Sequence, residues 1–427
     1  MFLKVKGSGF RSALSMGLKL GGAAMAFVFY AQISRLVATD RAGVFFWAIA
    51  FSLAASTVTR VGLDFAVIKL VSQEKDGLRN SALRSEMYMV ILLSFLFSMA
   101  LCLLFLIFRN PILAFCNLPK DSTLLVLIMI FAIGPISVYM IIASILNGLE
   151  RNVSASFLQT GMQQCLVVVI LFSLTHLYSD TELAIAWSYF LAACFTALYS
   201  IFLLVQCSGF PKLKELRTSN GINTLRASIP LWPGALADMA INALPTTLVG
   251  IASTPSSVAL FSVPQRIASV VYFGFASINA VAAPQIGRAI KMGVGAGDIY
   301  RRFTRMMIIT VIPGCFFLGA IGKPVLSVFG NEYRDAFYVL LFLLSAQVIH
   351  ALFGPTLMLL IMSDRRRAYS CAMFLGAAVT FSMTLILAYW HGAQGAAAGV
   401  FLGVLAQKML GFVLARPVRS DFSTDPK

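Results

Sequence analysis

Six ionisable residues of this sequence fall inside long apolar segments, where an ionised side chain is costly. They are four cations and two acids: Lys19, Arg60, Arg266, Lys408, Asp64 and Asp238. A charge near the centre of a bilayer costs about 2.5–3.5 kcal/mol on insertion scales, so such residues usually face a cavity or a partner. The excess of cations favours a site for an anionic group, because guanidinium and ammonium groups make charge-assisted hydrogen bonds to phosphate.

The most informative pair is Arg60 and Asp64, which are four residues apart and therefore share one helix face. The spacing fits two interpretations: a buried structural ion pair, or a cavity-facing arginine that Asp64 holds in position. Arg266 follows Pro264 closely and has no acid nearby in the sequence, so we interpret it as a cavity residue.

The remaining three charges have less specific positions. Lys19 lies in the first apolar segment and Lys408 in the last. Each amine either lines a cavity or reaches along its flexible stem to the cytoplasmic surface. Asp238 lies at the centre of the seventh segment, where it either pairs with a cavity cation, binds a coupling proton or sodium ion, or is structural.

The cysteines and histidines show no pattern of a metal site or a disulfide framework. The seven cysteines are odd in number without a CxxC spacing, and the three histidines share no ligand spacing. No phosphate-binding loop, nucleophile elbow or pair of catalytic carboxylates is present. We therefore expect no metal, no cofactor and no enzymatic activity.

The elements that carry these charges are membrane-spanning helices. Of the 427 residues, 59% are hydrophobic and 12% are charged, and the mean hydropathy is +0.86. This composition excludes a soluble enzyme, a secreted domain and a disordered protein. Segments that cross hydrocarbon must be helices, because hydrocarbon satisfies no backbone polar group. We predict an all-α fold of twelve spans: 12–36, 43–68, 86–107, 123–147, 155–176, 183–206, 226–250, 257–283, 303–321, 335–361, 368–389 and 393–414.

The distribution of positive charge predicts the orientation of these spans. The net charge is +16, and with the N-terminus in the cytoplasm 23 Lys and Arg residues fall on the cytoplasmic side against 6 on the other. Cytoplasmic loops collect Lys and Arg, so both termini are expected in the cytoplasm. The same bias explains most of the net charge, and nucleic acid is therefore not an expected partner.

Two loops half the chain apart carry the same motif. The pattern Phe-x-Asn-x-x-basic-Asp occupies residues 115–121 and, 214 residues later, 329–335. At the same offset, Glu-Arg at 150–151 corresponds to Asp-Arg at 364–365. A duplication of six spans explains these positions and gives parallel halves. We expect two six-helix bundles, 1–210 and 211–427, in the layout of an alternating-access transporter.

Proline and glycine mark places where the helices depart from ideal geometry or approach closely. Prolines in spans 7 and 8 indicate either static curvature or hinges: Pro230, Pro233, Pro245 and Pro264. Several glycines are expected to allow close helix packing: Gly22, Gly161, Gly376, Gly399 and Gly403.

Four segments carry a resemblance to a known family: 33–36 (ISRL), 42–46 (AGVFF), 62–69 (GLDFAVIK) and 329–333 (FGNEY). With the length and span count, they resemble the Wzx-type polysaccharide-export flippases of the multidrug/oligosaccharidyl-lipid/polysaccharide superfamily. The resemblance implies a V-shaped pair of six-helix bundles that moves undecaprenyl-diphosphate-linked glycans across the bacterial inner membrane. It also implies a polysaccharide polymerase and a chain-length protein as partners in O-antigen, capsule or exopolysaccharide synthesis.

The lipid II flippases of this superfamily are similar but usually have fourteen spans, so twelve spans favour the oligosaccharide branch. Their cavity cations lie on spans 1, 2 and 8, and Lys19, Arg60 and Arg266 match these by span and approximate depth. The resemblance thus implies roles in diphosphate binding, which we extend to Lys408.

Three other functions stay open at this stage. A cation-coupled multidrug and toxin extrusion antiporter shares the duplicated architecture, but its cavity should hold acids rather than four cations. A polysaccharide polymerase or lipid-sugar glycosyltransferase usually needs large extracytoplasmic loops, and the predicted outward loops are short. A major-facilitator-type porter is the third alternative.

Overall fold

The computed structural model describes residues 8–74, 78, 80–177, 180–209, 221–292 and 296–416. Within these ranges the chain is helical, without a strand. Ten of the described helices are long and apolar enough to cross a membrane, or eleven if the bent pair Asn223–Ile241 and Leu244–Ala252 is one span. The chain is therefore a multi-pass helical membrane protein, as the sequence predicts.

The chain divides into two compact units. The first comprises Met1–Val37 and Ala48–Leu236, and the second comprises Ala38–Trp47 and Ala237–Lys427. Two of the boundaries fall inside helices, one in α2 (Thr39–Thr59) and one in α12 (Trp232–Asn242). The division into bundles 1–210 and 211–427 rests on the sequence repeat and stays a prediction.

The first unit is built on a core in which Leu63, Met87 and Ile141 are fully buried. Short 3-10 and π-helical segments join some of its helices: Lys120–Ser122, Phe157–Met162 and Ile229–Leu231. Besides most of α2, its described helices are α1 (Ser8–Leu36), α3 (Leu63–Gln73), α4 (Ser81–Ile107), α5 (Arg109–Phe115), α6 (Thr123–Ile130), α7 (Ile133–Gly148), α8 (Asn152–Ser156), α9 (Gln163–Leu177), α10 (Thr181–Ser208) and α11 (Gly221–Ser228).

The second unit includes a core cluster in which Ile286, Phe303 and Leu359 are buried together. A 3-10 helix, Asn331–Ala336, leads into its helix α17. After α12 its described helices are α13 (Leu244–Ala252), α14 (Pro255–Met292), α15 (Ala296–Ala320), α16 (Gly322–Ser327), α17 (Phe337–Leu352), α18 (Thr356–Met362) and α19 (Arg366–Leu414).

Helix α19 contains two spans rather than one. Its 49 residues have non-helical angles at His391 and at Gly392, where φ is 54°. A straight helix of this length is about 73 Å long, more than twice the ~30 Å of a hydrocarbon core. Gly399 faces Thr384 and Gly376 faces Gln407, so the two halves lie antiparallel. With the bent pair taken as one span and the halves of α19 counted separately, the described helices form twelve spans, the number predicted from the sequence.

The predicted role of glycine in close packing is confirmed at these contacts. A Cβ added to Gly399 lies 2.5 Å from the Thr384 backbone nitrogen, and one added to Gly376 lies 2.6 Å from Gln407 Cβ. Gly22 of α1 is pressed in the same way against the backbone of Thr160 and Gly161, and Gly403 faces Thr380. Small residues thus let helices of each unit approach one another at backbone distance.

The repeat seen in the sequence is also present in local geometry. Glu150 and Asp364, which are 214 residues apart, both have left-handed backbones, with φ of 59° and 56°. The next residue in each half donates its amide to a carbonyl five positions back, at 2.9 Å from Arg151 and 3.0 Å from Arg365. The two halves therefore end their fourth and tenth predicted spans with the same turn.

Candidate functional site

The predicted pair of Arg60 and Asp64 forms in the first unit. Arg60 Nε lies 3.1 Å from Asp64 Oδ2, and Arg60 Nη2 donates to Thr57 Oγ1 at 3.0 Å. Arg60 is only 8% exposed. Asp64 Oδ1 is buried and has no hydrogen-bond partner among the described residues. A guanidinium has five N–H donors, so these contacts leave Arg60 able to bind an anion as well.

The chain breaks its helix between these two charges. Val61 and Gly62 have left-handed backbones, with φ of 48° and 73°. A β-branched residue rarely adopts this conformation, and such outliers cluster at functional sites. A Cβ on Gly62 would lie 2.7 Å from the Ser228 carbonyl oxygen, so glycine is required here by both angle and space. The break holds Arg60 at the end of α2 and Asp64 at the start of α3.

A buried network of hydroxyl groups fixes the residue before Arg60. Thr59, Ser98 and Ser137 lie within 2.9–3.1 Å of one another, on α2, α4 and α7. Hydroxyl groups hydrogen-bond across helices in membranes, where other partners are scarce. The network therefore sets the depth at which α2 ends and at which Arg60 lies.

Two further polar residues near Arg60 have no signal in the sequence. The Tyr139 hydroxyl donates to Gln163 Oε1 at 2.5 Å. Arg60 is close enough to Tyr139 for an electrostatic interaction between them. Gln163 Nε2 is buried without a hydrogen-bond partner in the described part of the chain. Gln163 directly follows the π-helix Phe157–Met162, a type of segment that often occurs at functional sites.

Lys408 is buried in the second unit, with 2% of its surface exposed. Its Nζ lies 4.9 Å from the centre of the Phe275 ring, a cation–π contact. The interpretation that this amine reaches along its stem to the cytoplasmic surface is therefore wrong. Lys408 keeps its amine inside the unit because an aromatic face is available there.

His350 joins Lys408 in one cluster, which the sequence does not reveal. Its ring lies 5.2 Å from that of Phe275 and 6.0 Å from that of Tyr272. His350 Nδ1 is buried without a hydrogen-bond partner in the described ranges. Lys408 is close enough for its charge to repel a positive charge on the imidazole. The two bases come from helices far apart in sequence, α17 and α19, so no spacing could link them.

The other predicted charges are not part of these two clusters. Arg266 is half-buried in α14, about 13 Å along that helix from Phe275. Lys19 is exposed on α1, which packs on α8 and α9. Asp238 belongs to α12, and its side chain lies outside the described residues. Their functional roles stay predictions.

The prolines have different local settings. Pro230 lies in a 3-10 helix, and Pro233 lies in the first turn of α12. Pro245 lies near the start of α13, directly after a bend of 59°. Helix α14 continues through Pro264. The hinge role of these residues stays a prediction.

In the described ranges, no group of three or more histidine, cysteine or acidic side chains can hold a metal ion.

Solved structures with similar folds are transporters and flippases. The lipid II flippase MurJ in an inward closed conformation is 15% identical, with a TM-score of 0.76, over 97% of this chain and 89% of that one. An inward-facing multidrug resistance MATE transporter of the MOP superfamily is 14% identical, with a TM-score of 0.73, over 97% of this chain and 100% of that one. These likenesses establish the fold.

An outward-facing structure of a MATE transporter also matches, with a TM-score of 0.67 and 14% identity over 98% of this chain and 99% of that one. A comparison with curated protein sequences gives no match. The profile of the family described as polysaccharide biosynthesis protein matches residues 12–290. That match spans more than half of the chain, and the protein therefore belongs to the polysaccharide biosynthesis protein family, with the fold of the MOP-superfamily flippases and transporters.

Proposed function

We propose that this protein is a flippase for undecaprenyl-diphosphate-linked oligosaccharide in the bacterial inner membrane. The observation that carries the proposal is a buried cation in each unit, Arg60 in the first and Lys408 in the second. Family membership supports a role in polysaccharide synthesis. O-antigen, capsule and exopolysaccharide are the surface glycans that this role covers.

The proposed chemistry is recognition of the diphosphate. A diphosphate cannot cross hydrocarbon without compensating charge, and Arg can bind a phosphate with two parallel hydrogen bonds while Lys acts as a point charge. We assign Arg60, Arg266, Lys19 and Lys408 to this role. Asp64 positions Arg60, and Asp238 serves as a coupling or ion-pair residue.

The main alternative is a cation-coupled multidrug antiporter, since MATE transporters share the fold. A cationic drug needs an acid that is free to bind it. Asp64 is held by Arg60, and Lys408 adds a second buried cation. This balance supports an anionic cargo.

The protein acts in this proposal without catalysing a covalent step. It works by alternating access, with both termini in the cytoplasm, and hands the flipped glycan to a polymerase and a chain-length protein. The proposed hinges are Pro230, Pro233, Pro245 and Pro264.

Deletion of the gene followed by extraction of undecaprenyl-linked lipids tests the proposal. We expect glycan-loaded carrier to accumulate on the inner leaflet, and plasmid-borne wild type but not Arg266→Ala to relieve it. Loss of surface glycan should accompany the accumulation. Normal carrier levels together with new sensitivity to cationic dyes would instead support the antiporter.

A further inference from the structure

We propose that His350 and Lys408 form a proton-binding site in the second unit, which takes up a proton when the anionic headgroup binds. The site itself is argued from the structure alone, whereas its link to the headgroup rests on the proposed function. His350 thereby joins the proposed functional residues, and the proton is the ion that accompanies the cargo.

The two bases meet at one aromatic ring. Lys408 Nζ lies 4.9 Å from the centre of Phe275, and the His350 ring lies 5.2 Å from it. Three helices, α14, α17 and α19, each contribute one of these side chains. A cation on a ring face is stabilised by the ring quadrupole, so the cluster accommodates one positive charge without a carboxylate.

A second positive charge at this place needs compensation. Two like charges in a desolvated setting disfavour each other, so His350 and Lys408 tend to hold one proton charge between them. An imidazole can change its charge between pH 5 and 8, which makes His350 the member that responds to a nearby anion. Binding of a diphosphate supplies the compensating charge and draws a proton from the aqueous phase onto the imidazole.

Several other titratable groups lie on the helices packed around the cluster, among them Cys315 of α15, which donates its thiol to the Leu344 carbonyl of α17. Tyr272 faces His350 from α14, and Tyr300 of α15 donates its hydroxyl to the Phe353 carbonyl. Arg266 lies nearer the start of α14, about 13 Å along the helix axis from Phe275. Asp238 lies on α12, which packs against α19 through Ala237 and Ala377. The NMR experiment described below therefore includes Asp238→Asn.

Buried polar atoms without hydrogen-bond partners lie on the helices of the cluster, and they can stabilise a second positive charge there. His350 Nδ1 and Gln347 Oε1 both lack a hydrogen-bond partner in the described structure, and they are one turn apart on α17. Asn279 Oδ1, one turn after Phe275 on α14, is likewise buried without one. Such atoms are costly in an apolar interior, and the amide oxygens among them are acceptors of the kind to which a protonated imidazole donates. When the headgroup leaves, the proton returns to water.

Proton uptake on binding is the first test. The full-length protein in lipid nanodiscs is titrated with farnesyl diphosphate at pH 6.5 in buffers of different ionisation enthalpy, which gives the protons taken up per ligand. Because the terminal phosphate of the probe also titrates near this pH, the difference between variants is the informative quantity, and we expect wild type to take up about one proton more per ligand than a His350→Gln variant that still binds. The exposed histidines provide matched controls, His176→Gln and His391→Gln, which should behave as wild type. Equal uptake by His350→Gln and wild type would overturn the proposal.

The second test needs no ligand, so it separates failure of this site from failure of the proposed function. Histidine-labelled protein has three imidazole signals, which are followed by NMR from pH 5 to 8. We expect Lys408→Met to change the pH dependence of the chemical shift of His350 alone. Lys408→Arg should leave that pH dependence close to that of wild type. Asp238→Asn should leave that pH dependence unchanged. An unchanged pH dependence of His350 in Lys408→Met would refute the shared site, whatever farnesyl diphosphate does. Absence of diphosphate binding in every variant, with the expected NMR result, would contradict the proposed function and the headgroup link only.

Discussion

At the scale of single residues, the question is how each charge is kept in an apolar helix. Arg60 is held by Asp64 and Thr57, and Lys408 by the ring of Phe275. The first arrangement is an ion pair and the second is a cation–π contact. Both leave the cation with the capacity to meet an anion, which is the property that a diphosphate carrier needs.

Removal of one member of the ion pair should be worse for stability than removal of both. Arg60→Ala leaves Asp64 without its cation, and we expect the free energy of unfolding to fall by about 3 kcal/mol. Arg60→Ala with Asp64→Ala should recover part of this loss in a thermal unfolding assay in detergent, because no buried charge is left unpaired. The double variant should still fail to restore surface glycan. Full restoration would mean that the pair is structural only.

The buried thiol of Cys116, in the loop between α5 and α6, gives a pH-dependent prediction. Burial raises the pKa of this thiol to about 11, so almost no reactive thiolate exists at neutral pH. Maleimide labelling of Cys116 should be slow at pH 7.5 and rise about tenfold per pH unit toward pH 11. Arg109→Cys, at an exposed position in a Cys116→Ser background, should label rapidly at pH 7.5. Comparable rates for the two cysteines at pH 7.5 would contradict the buried setting.

Local spacing explains which site residues could be predicted from the sequence. Arg60 and Asp64 are four residues apart, so helix geometry alone places them together. Lys408 is visible as a charge in an apolar run, but Phe275 and His350 are on other helices. Their contact depends on tertiary packing, for which a single sequence carries no spacing signal.

At the scale of elements, the helix breaks position the functional groups. The break at Val61 and Gly62 separates α2 from α3, and the turn at His391 and Gly392 separates the halves of α19. Gly62 could be noticed in the sequence, but a left-handed valine beside it could not, because valine favours extended and helical conformations.

Replacement of Gly62 should disturb the break. Gly62→Ala adds a Cβ 2.7 Å from the Ser228 carbonyl in a backbone that disfavours side chains. We expect a loss of about 2 kcal/mol of stability and reduced complementation. Gly234→Ala is the matched control, because a Cβ there meets nothing within 4 Å. Thermal unfolding of both variants tests this, and equal midpoints would speak against a constrained break.

The hairpin of α19 gives a second prediction for an element. Gly399→Leu places a large side chain against the Thr384 backbone, so the halves of α19 must separate, at a cost of about 3 kcal/mol or more. Gly314→Leu in α15 enters open space and should be tolerated. The yield of folded protein in size-exclusion chromatography distinguishes them. A normal yield for Gly399→Leu would rule out the close antiparallel packing.

At the scale of the whole molecule, composition determined most of what could be foreseen. Long apolar runs predict a helical membrane protein, and the recurrence at 214 residues predicts a duplication of six spans. The exact helix bounds could not be foreseen, since breaks at 131–132, 243 and 353–355 depend on packing within each unit. The boundary between units inside α2 and α12 is likewise a property of tertiary contacts.

The orientation of the molecule can be tested with single cysteines. Arg366→Cys and Arg334→Cys lie at exposed positions on opposite predicted sides of the membrane. In a Cys371→Ser background, an impermeant maleimide should label Arg334→Cys in cells with a permeable outer membrane. Arg366→Cys should label only after the inner membrane is opened. The reverse pattern would place the termini outside the cytoplasm.

Translocation by the purified protein tests the proposed flippase activity without other cellular components. Wild type, Arg60→Ala and Lys408→Met are reconstituted in liposomes that contain an undecaprenyl-diphosphate oligosaccharide with a fluorescent glycan, and an impermeant quencher is added outside. We expect wild type to expose inner-leaflet glycan to the quencher over time and both variants to do so far more slowly. If the fraction of quenched glycan in wild-type liposomes is no larger than in protein-free liposomes, while the wild-type liposomes take up a cationic dye, the proposed flippase activity is contradicted.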